Sequence, residues 1–275
     1  MSRAGSGAES GRIAAAFAKA RAAGRPALIP FVTAGDPSLD ATRAIVMSLA
    51  RGGADIVELG VPFSDPIADG PVNQRAAERA LRAGVTLASV LGLAGRLRKD
   101  GAPPLVLFTY YNPIHRMGLA AFAEAAGRAG VDGVLVTDLP PEEAADLQAA
   151  LKGPGIDLIF MLSPTSSRRR MDRVARAGQG FVYFISRTGV TGAREDLPAD
   201  LPAQVSQARS ICPLPVAVGF GISRPEQVRA VASFADGVVI GSAIVRLVED
   251  TRDLEVLKSR LEAFCRELAG QSGRS

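Results

Sequence analysis

Three carboxylates lie close together in the segment Val57 to Gly70, which reads VELGVPFSDPIADG. Glu58 falls inside a short apolar run, where a carboxylate is costly to bury unless it has a partner or a chemical role. Asp65 and Asp69 follow among prolines and glycines, and taken alone each is more often a turn or cap residue. A salt bridge is the alternative role for Glu58. Several acids beside one another suit general acid–base catalysis, so Glu58 and Asp69 are candidate catalytic residues.

Glycines follow three of the predicted strands in a pattern that suits an anion. The segments are Ser186 to Gly192 (SRTGVTG), Gly219 to Ile222 (GFGI) and Ile240 to Ala243 (IGSA). Glycine lets backbone N–H groups approach an anion closely, and the start of a helix adds a favourable dipole. Tight turns are the alternative use of such glycines. The pattern predicts a phosphate site.

The chain offers few residues for other kinds of catalysis. Schiff-base chemistry needs a lysine at the mouth of the site, but every lysine lies in or beside a predicted helix or surface turn. The single histidine, His115, and the two cysteines, Cys212 and Cys265, do not have the spacing of a zinc site. We therefore expect reduced thiols, no metal, and chemistry carried by carboxylates. The lysines are Lys19, Lys99, Lys152 and Lys258.

Short apolar runs alternate with helical patterns along the whole chain. Such runs are typical of parallel strands buried on both faces, and eight of them, each followed by a helix, predict a single α/β domain, a (β/α)8 TIM barrel. An open doubly wound sheet is the structural alternative. We expect an extra N-terminal helix that closes the barrel bottom, and one domain over residues 1–275 with an ordered core from about residue 12 to about residue 269. The predicted strands are Ala27–Thr33, Ile56–Leu59, Leu105–Thr109, Gly133–Thr137, Asp157–Met161, Phe181–Ile185, Pro215–Gly219 and Gly237–Ile240.

The two longest connections follow the second strand, from Gly60 to about Val85, and the sixth, from Arg187 to about Pro202. Both leave the carboxyl ends of strands, where the active sites of barrel enzymes lie. Apolar and aromatic side chains near these strand ends predict a lining for a flat aromatic ligand, although each could be ordinary core. They are Phe31, Phe108, Tyr110, Leu135, Tyr183, Phe220 and Ile240.

Composition excludes several classes of partner. The net charge of +4 is spread along the chain, aromatic residues make up 5% and tryptophan is absent, which argues against a nucleic-acid surface. No apolar run approaches the roughly 20 residues that span a bilayer, and the first ten residues lack the apolar core of a signal peptide. We expect a cytoplasmic protein that binds neither nucleic acid nor membranes.

The motif VELGVPFSDPIADG resembles the segment around the two catalytic acids of the tryptophan synthase alpha subunit family. Further blocks resemble that family in the same order, and together they cover the chain from about Ile13 to Leu268. They are PFVTAGDP (Pro30 to Pro37), the region Tyr110 to Asn112, SRTGVTG (Ser186 to Gly192), GFGIS (Gly219 to Ser223) and IGSAIV (Ile240 to Val245).

The resemblance implies a lyase that cleaves indole-3-glycerol phosphate to indole and glyceraldehyde 3-phosphate. It assigns Glu58 as the general acid and base that serves indole C3 and the side-chain hydroxyl, and Asp69 as the residue that holds the indole N–H. Tyr183 and Thr191 match positions beside these acids, with Thr191 on a lid. The phosphate is expected on the backbone of Gly192, Gly221, Gly241 and Ser242. The apolar lining predicted above from the strand ends adds Phe31, Tyr110, Phe220 and Ile240 as substrate-binding residues.

The resemblance also implies a partner. The family's beta subunit carries pyridoxal phosphate (PLP) and condenses indole with serine in an α2β2 assembly, and Pro62 and Asp65 match the loop that faces it. We expect this chain to need no cofactor of its own. One alternative is another phosphate-binding barrel enzyme, and the lack of a lysine at the mouth argues against it. The other is a catalytically weak subunit that mainly binds and activates a beta partner, and the intact pair of acids argues against that.

Overall fold

The computed structural model describes residues 11–186, 197–219 and 221–270. Eight parallel strands pair in chain order and close into a barrel, because β8 returns to pair with β1. This confirms the predicted barrel and rules out the open sheet. The second strand begins and ends one residue later than predicted. The strands are β1 (Ala27–Thr33), β2 (Val57–Gly60), β3 (Leu105–Thr109), β4 (Gly133–Val136), β5 (Asp157–Leu162), β6 (Val182–Ile185), β7 (Val216–Gly219) and β8 (Gly237–Ile240).

Helices surround the barrel and fill the connections between strands. Within the described residues, β2, β3 and β8 are each followed by two helices rather than the single one predicted. The helices are α1 (Arg12–Ala22), α2 (Leu39–Arg51), α3 (Pro71–Arg82), α4 (Leu87–Lys99), α5 (Tyr111–Met117), α6 (Leu119–Ala129), α7 (Ala145–Lys152), α8 (Arg168–Ala177), α9 (Leu201–Ile211), α10 (Pro225–Ala232), α11 (Ser242–Asp250) and α12 (Leu254–Leu268).

Side chains alternate along each strand between the barrel interior and the layer under the helices. In β1, Ala27 and Ile29 belong to the interior cluster, whereas Leu28 and Val32 pack in the outer layer. Helix α1 closes the lower end of the interior, where the ring of its Phe17 lies 5.6 Å from that of Phe181. The extra N-terminal helix is therefore confirmed. Because it closes the lower end of the barrel, a ligand site is expected at the upper end, where the strands end.

An ion-pair network fixes helix α3, which follows the loop that carries Asp69. The Arg79 guanidinium donates to both carboxylate oxygens of Asp36 at 2.8 Å, and its third nitrogen donates to Glu249 of α11 at 2.8 Å. The Asp36 side chain is only 3% exposed, so it depends on Arg79 for its charge balance. The network ties α3 to the loop after β1 and to α11.

No single helix in the described parts of the chain is long and apolar enough to cross a membrane. Helices α3 and α4 reach the required length and apolarity only when they are counted together, across a bend of 97°. Cys212 and Cys265 are both buried and unpaired.

We expect Arg79→Met to destabilise the fold by about 2–3 kcal/mol, because it leaves the buried Asp36 carboxylate without its cation. Urea unfolding at neutral pH measures the change. The matched control is Arg82→Met on the same helix, whose ion pair with Glu78 is exposed on both sides (77% and 63%) and should contribute less than about 0.5 kcal/mol. Equal effects of the two substitutions would show that the network does not anchor α3.

Candidate active site

The Glu58 carboxyl lies inside the upper part of the barrel. Its neighbours Val57 and Leu59 pack in the outer layer and Ile56 in the interior, so alternation directs Glu58 inward. The residue is 0% exposed, and neither carboxyl oxygen has a hydrogen-bond partner among the described residues. Burial raises the pKa of Glu58 from 4.5 to about 8. The carboxyl is therefore mostly protonated at neutral pH.

Asp69 is held at the end of the loop between β2 and α3. The Tyr110 hydroxyl donates to Asp69 Oδ2 at 3.0 Å and accepts from the Ala68 N–H at 3.0 Å. The Gln74 side chain donates to the Asp69 carbonyl at 2.9 Å. Burial raises the pKa of Asp69, whereas its interactions with the Tyr110 hydroxyl and the Asn73 side chain lower it. Burial is the larger effect, so the pKa of Asp69 lies above its ordinary value of 3.8, but Asp69 has hydrogen bonds that stabilise its ionised form and Glu58 has none among the described residues.

Aromatic side chains cross the barrel beside these acids. Phe31 contacts Phe108 edge to face at 5.3 Å between ring centres, and Phe108 lies 6.4 Å from Tyr183. Two strand-end glycines make room for them: a Cβ on Gly60 would lie 2.4 Å from Phe31, and one on Gly219 would lie 2.2 Å from the Tyr183 hydroxyl. The resulting walls are flat and apolar.

The charges of both acids act on the buried Tyr183 hydroxyl. After burial, the main causes that raise the pKa of the Tyr183 hydroxyl are the charges of Glu58 and Asp69. Both carboxyls are therefore within electrostatic range of the Tyr183 hydroxyl. A narrow cavity nearby is lined by Phe31, Phe108, Asp69 and other residues at the ends of β1, β2 and β3 and on α3. Asp69 lines this cavity, and Glu58 is buried at the strand position paired with Phe31, another lining residue. The arrangement can offer a planar apolar ligand an anionic acceptor and a nearby proton donor.

The start of α11 adjoins the same mouth. Gly241 caps this helix, and a Cβ on Gly241 would lie 3.8 Å from Phe31. Ser242 is the first helical residue, where backbone N–H groups have no acceptor within the helix. Gly221 has a φ of +78°, and a Cβ there would have no atom within 4 Å. These positions suit an anion; the predicted positions Thr191, Gly192 and Phe220 lie outside the described residues.

Two residues predicted to line the site, Ile240 and Leu135, are not among the residues that line the cavity beside Asp69. Ile240 packs in the outer layer, whereas alternation directs Val239 inward. A substrate contact by Ile240 stays a prediction from the sequence. Leu135 is in the interior cluster and is fully buried.

Of the two residues predicted on the partner-facing loop, Pro62 is buried and lines the cavity, whereas Asp65 is exposed.

Asn73 and Val239 are two residues beside the site that were not predicted from the sequence. Asn73 shares a helix face with the buried Ala76, Ala77 and Ala80, so helical spacing could have placed it against the barrel. Val239 would have followed from strict alternation in β8. His115 lies in α5, where its ring is 5.7 Å from that of Tyr111. Within the described ranges, no three His, Cys, Asp or Glu side chains come together in a way that could hold a metal ion.

Comparisons with known proteins agree with this geometry. A family model described as "Tryptophan synthase alpha chain" matches residues 17–272. The chain belongs to this family. Tryptophan synthase alpha chains are lyases of tryptophan biosynthesis that cleave indole-3-glycerol phosphate.

Individual relatives are similar over nearly their full length. The tryptophan synthase alpha chain of Geobacter sulfurreducens is 55% identical over 238 residues, which is 86% of this chain and 90% of the relative. That of Solibacter usitatus is 53% identical over 244 residues, or 89% and 91% of the two chains.

Solved structures resemble the barrel closely. The alpha subunit from Legionella pneumophila aligns with a TM-score of 0.85 and 37% identity over 94% of this chain and 98% of that one. A chain of Mycobacterium tuberculosis tryptophan synthase aligns with a TM-score of 0.87 and 37% identity over 96% and 98%. The resemblance read from the motifs is therefore confirmed.

The buried Glu58 carboxyl should make stability depend on pH. The folded protein keeps the proton up to about pH 8, whereas the unfolded chain releases it near pH 4.5, so the folding free energy that Glu58 contributes is lost as pH rises between these values. Glu58→Gln does not titrate. We expect its stability relative to the wild type to increase from pH 4.5 to pH 8, by up to about 4 kcal/mol.

Urea unfolding at pH 5 and pH 9 measures this difference, with Glu78→Gln as the matched control because Glu78 is exposed. A Glu58→Gln difference that is the same at both pH values would contradict the burial of a protonated carboxyl.

Proposed function

We propose that this chain cleaves indole-3-glycerol phosphate with Glu58 as the general acid and base and with Asp69 as the anchor of the indole N–H. The observation that carries the proposal is the fully buried Glu58 carboxyl, which has no hydrogen-bond partner among the described residues. Such a group is costly to the fold and is useful to a reaction that needs a proton donor at neutral pH.

Glu58 would act twice in one turnover. The protonated carboxyl gives its proton to indole C3, which turns the ring into a cationic electron acceptor. The carboxylate so formed takes the proton of the hydroxyl on the carbon attached to C3. That carbon becomes the aldehyde of glyceraldehyde 3-phosphate as the C–C bond breaks, and the bonding electrons restore the aromatic indole. Glu58 ends the cycle protonated, as it began.

Asp69 would stabilise the charge that this sequence creates. Protonation at C3 places positive charge on the ring nitrogen, and an ionised carboxylate that accepts the N–H lowers the energy of that cation. The hydrogen bond from the Tyr110 hydroxyl keeps Asp69 Oδ2 in place and favours its ionised form. The two acids would therefore have different roles: Glu58, without hydrogen bonds in an apolar interior, donates the proton, and Asp69, with hydrogen bonds that stabilise its ionised form, accepts the N–H.

The remaining contacts would orient the substrate. Phe31, Phe108 and Tyr183 supply flat apolar walls for the indole ring. The helix start at Gly241 and Ser242 and the open backbone at Gly221 suit the phosphate. Thr191, Gly192 and Phe220 stay predictions from the sequence, as does the closing of a lid that carries Thr191.

A beta subunit is the proposed partner, in an α2β2 assembly in which the beta subunit holds PLP and this chain holds no cofactor. The loop after β2 exposes a large apolar side chain to solvent. Ile67 is 76% exposed and lies near the exposed Asp65. An exposed apolar side chain at the rim of the active site supports a protein contact there. Pro62, predicted in the same contact, lies at the buried base of this loop.

Two further proposals concern the chain as a whole. We take residues 1–275 to act as one domain, because the barrel and its helices run through nearly the whole described chain. A cytoplasmic location stays a prediction from the sequence.

We expect Glu58→Gln to reduce indole release by at least about a thousandfold, because the amide can neither donate to C3 nor accept the hydroxyl proton.

Asp69→Asn should reduce kcat by about a hundredfold, because the charge that stabilises the ring cation is lost. The measurement is indole release from indole-3-glycerol phosphate, with and without a tryptophan synthase beta subunit.

Glu78→Gln is the matched control and should turn over normally. Near-normal turnover by Glu58→Gln would remove it from the chemistry. A wild-type chain that is inactive alone and with the beta subunit would favour the alternative of a subunit that only binds and activates its partner.

A further inference from the structure

Asn73 is a polar side chain in the wall of the active-site cavity whose hydrogen bonding is incomplete. It lies in the first turn of α3 and lines the cavity together with Asp69, Phe31 and Phe108. Its Oδ1 atom is buried and has no hydrogen-bond partner among the described residues. Buried amide oxygens in native proteins are nearly always satisfied, so an orphaned one on a residue that lines a cavity points to a ligand.

The orientation of the Asn73 amide follows from its neighbour. The side chain interacts with Asp69 in the sense that favours the ionised carboxylate. A carboxylate accepts hydrogen bonds and cannot donate them, so Asn73 must present its NH2 group to Asp69. The carbonyl oxygen, which is the one acceptor of the Asn73 side chain, then takes no part in the contact with Asp69 and is left for a donor beside that carboxylate.

We propose that Asn73 is a specificity-determining residue of this site: its NH2 group positions the Asp69 carboxylate, and its Oδ1 accepts a second hydrogen bond from the ring N–H that Asp69 binds. The inference rests on the proposed function, since it concerns the indole ring of the same substrate. Two acceptors around one N–H distinguish an indole from an isosteric ring without that donor, because such a ring leaves both acceptors unsatisfied.

The sharpest test compares two small ligands in two proteins. Indole and 1-benzofuran have nearly the same shape, but benzofuran has an oxygen where indole has the N–H. Calorimetric titration gives the Kd of each ligand for the wild type, Asn73→Leu and Asn73→Ala. We expect the wild type to prefer indole, and both variants to lose about fivefold of that preference. Asn73→Leu removes an unsatisfied buried polar group, so the fold should tolerate it.

A second readout separates positioning from packing. Loss of the Asn73 amide raises the pKa of Asp69, so the acidic limb of kcat/KM should move to higher pH in both variants. Glu78→Leu is the matched control, because it adds the same side chain to an exposed position of the same helix; it should change neither the ligand preference nor the pH limb.

An unchanged preference for indole over benzofuran in either Asn73 variant would overturn the inference, whatever happens to stability. Because the titrations need no turnover, this result is distinct from failure of the proposed function, which would appear as a wild type that releases no indole.

Discussion

The burial of one carboxyl in an apolar barrel is the constraint on which the site depends. Glu58 is withdrawn from water, and no described residue gives its oxygens a hydrogen bond. In such surroundings the charged form is disfavoured, and the pKa rises to about 8. Glu58 is therefore protonated at neutral pH, beside a flat cavity. Asp69 is also buried, and its pKa is raised as well, but hydrogen bonds from Tyr110 and Asn73 counter part of that effect, whereas Glu58 has none among the described residues.

Two features of the fold position the two acids: the alternation of side chains along the strands, and the ion pairs that hold helix α3. Parallel strands send every second side chain inward, so one position in β2 can carry an acid into an otherwise apolar interior. Gly60 and Gly219 leave space for Phe31 and Tyr183, which keep water from the acid and shape the ligand's walls. Arg79 ties α3 to the barrel, and α3 in turn carries Asn73 and ends the loop of Asp69. The ion pair thus supports the site from outside it.

Much of this could be predicted from the sequence, because it depends on local rules. The apolar runs predicted the eight strands to within about two residues, and Glu58 was conspicuous as an acid inside one of them. The direction in which individual side chains point was harder to predict. Ile240 and Val239 are both apolar, and only the strand's register shows which of them faces inward. Asn73 lies on a helix face that meets the barrel, but its unsatisfied oxygen is a three-dimensional property that no local pattern reveals.

The protonation state of Glu58 can be measured directly by infrared titration of the wild type against Glu58→Gln. The C=O stretch of a protonated carboxyl is separate from that of a carboxylate, and the subtraction isolates this one side chain. We expect a protonated-carboxyl band that is present at pH 7, absent from Glu58→Gln, and lost with a midpoint near pH 8. A Glu58 that is already ionised at pH 6 would contradict the protonated state at neutral pH and the acid role that follows from it.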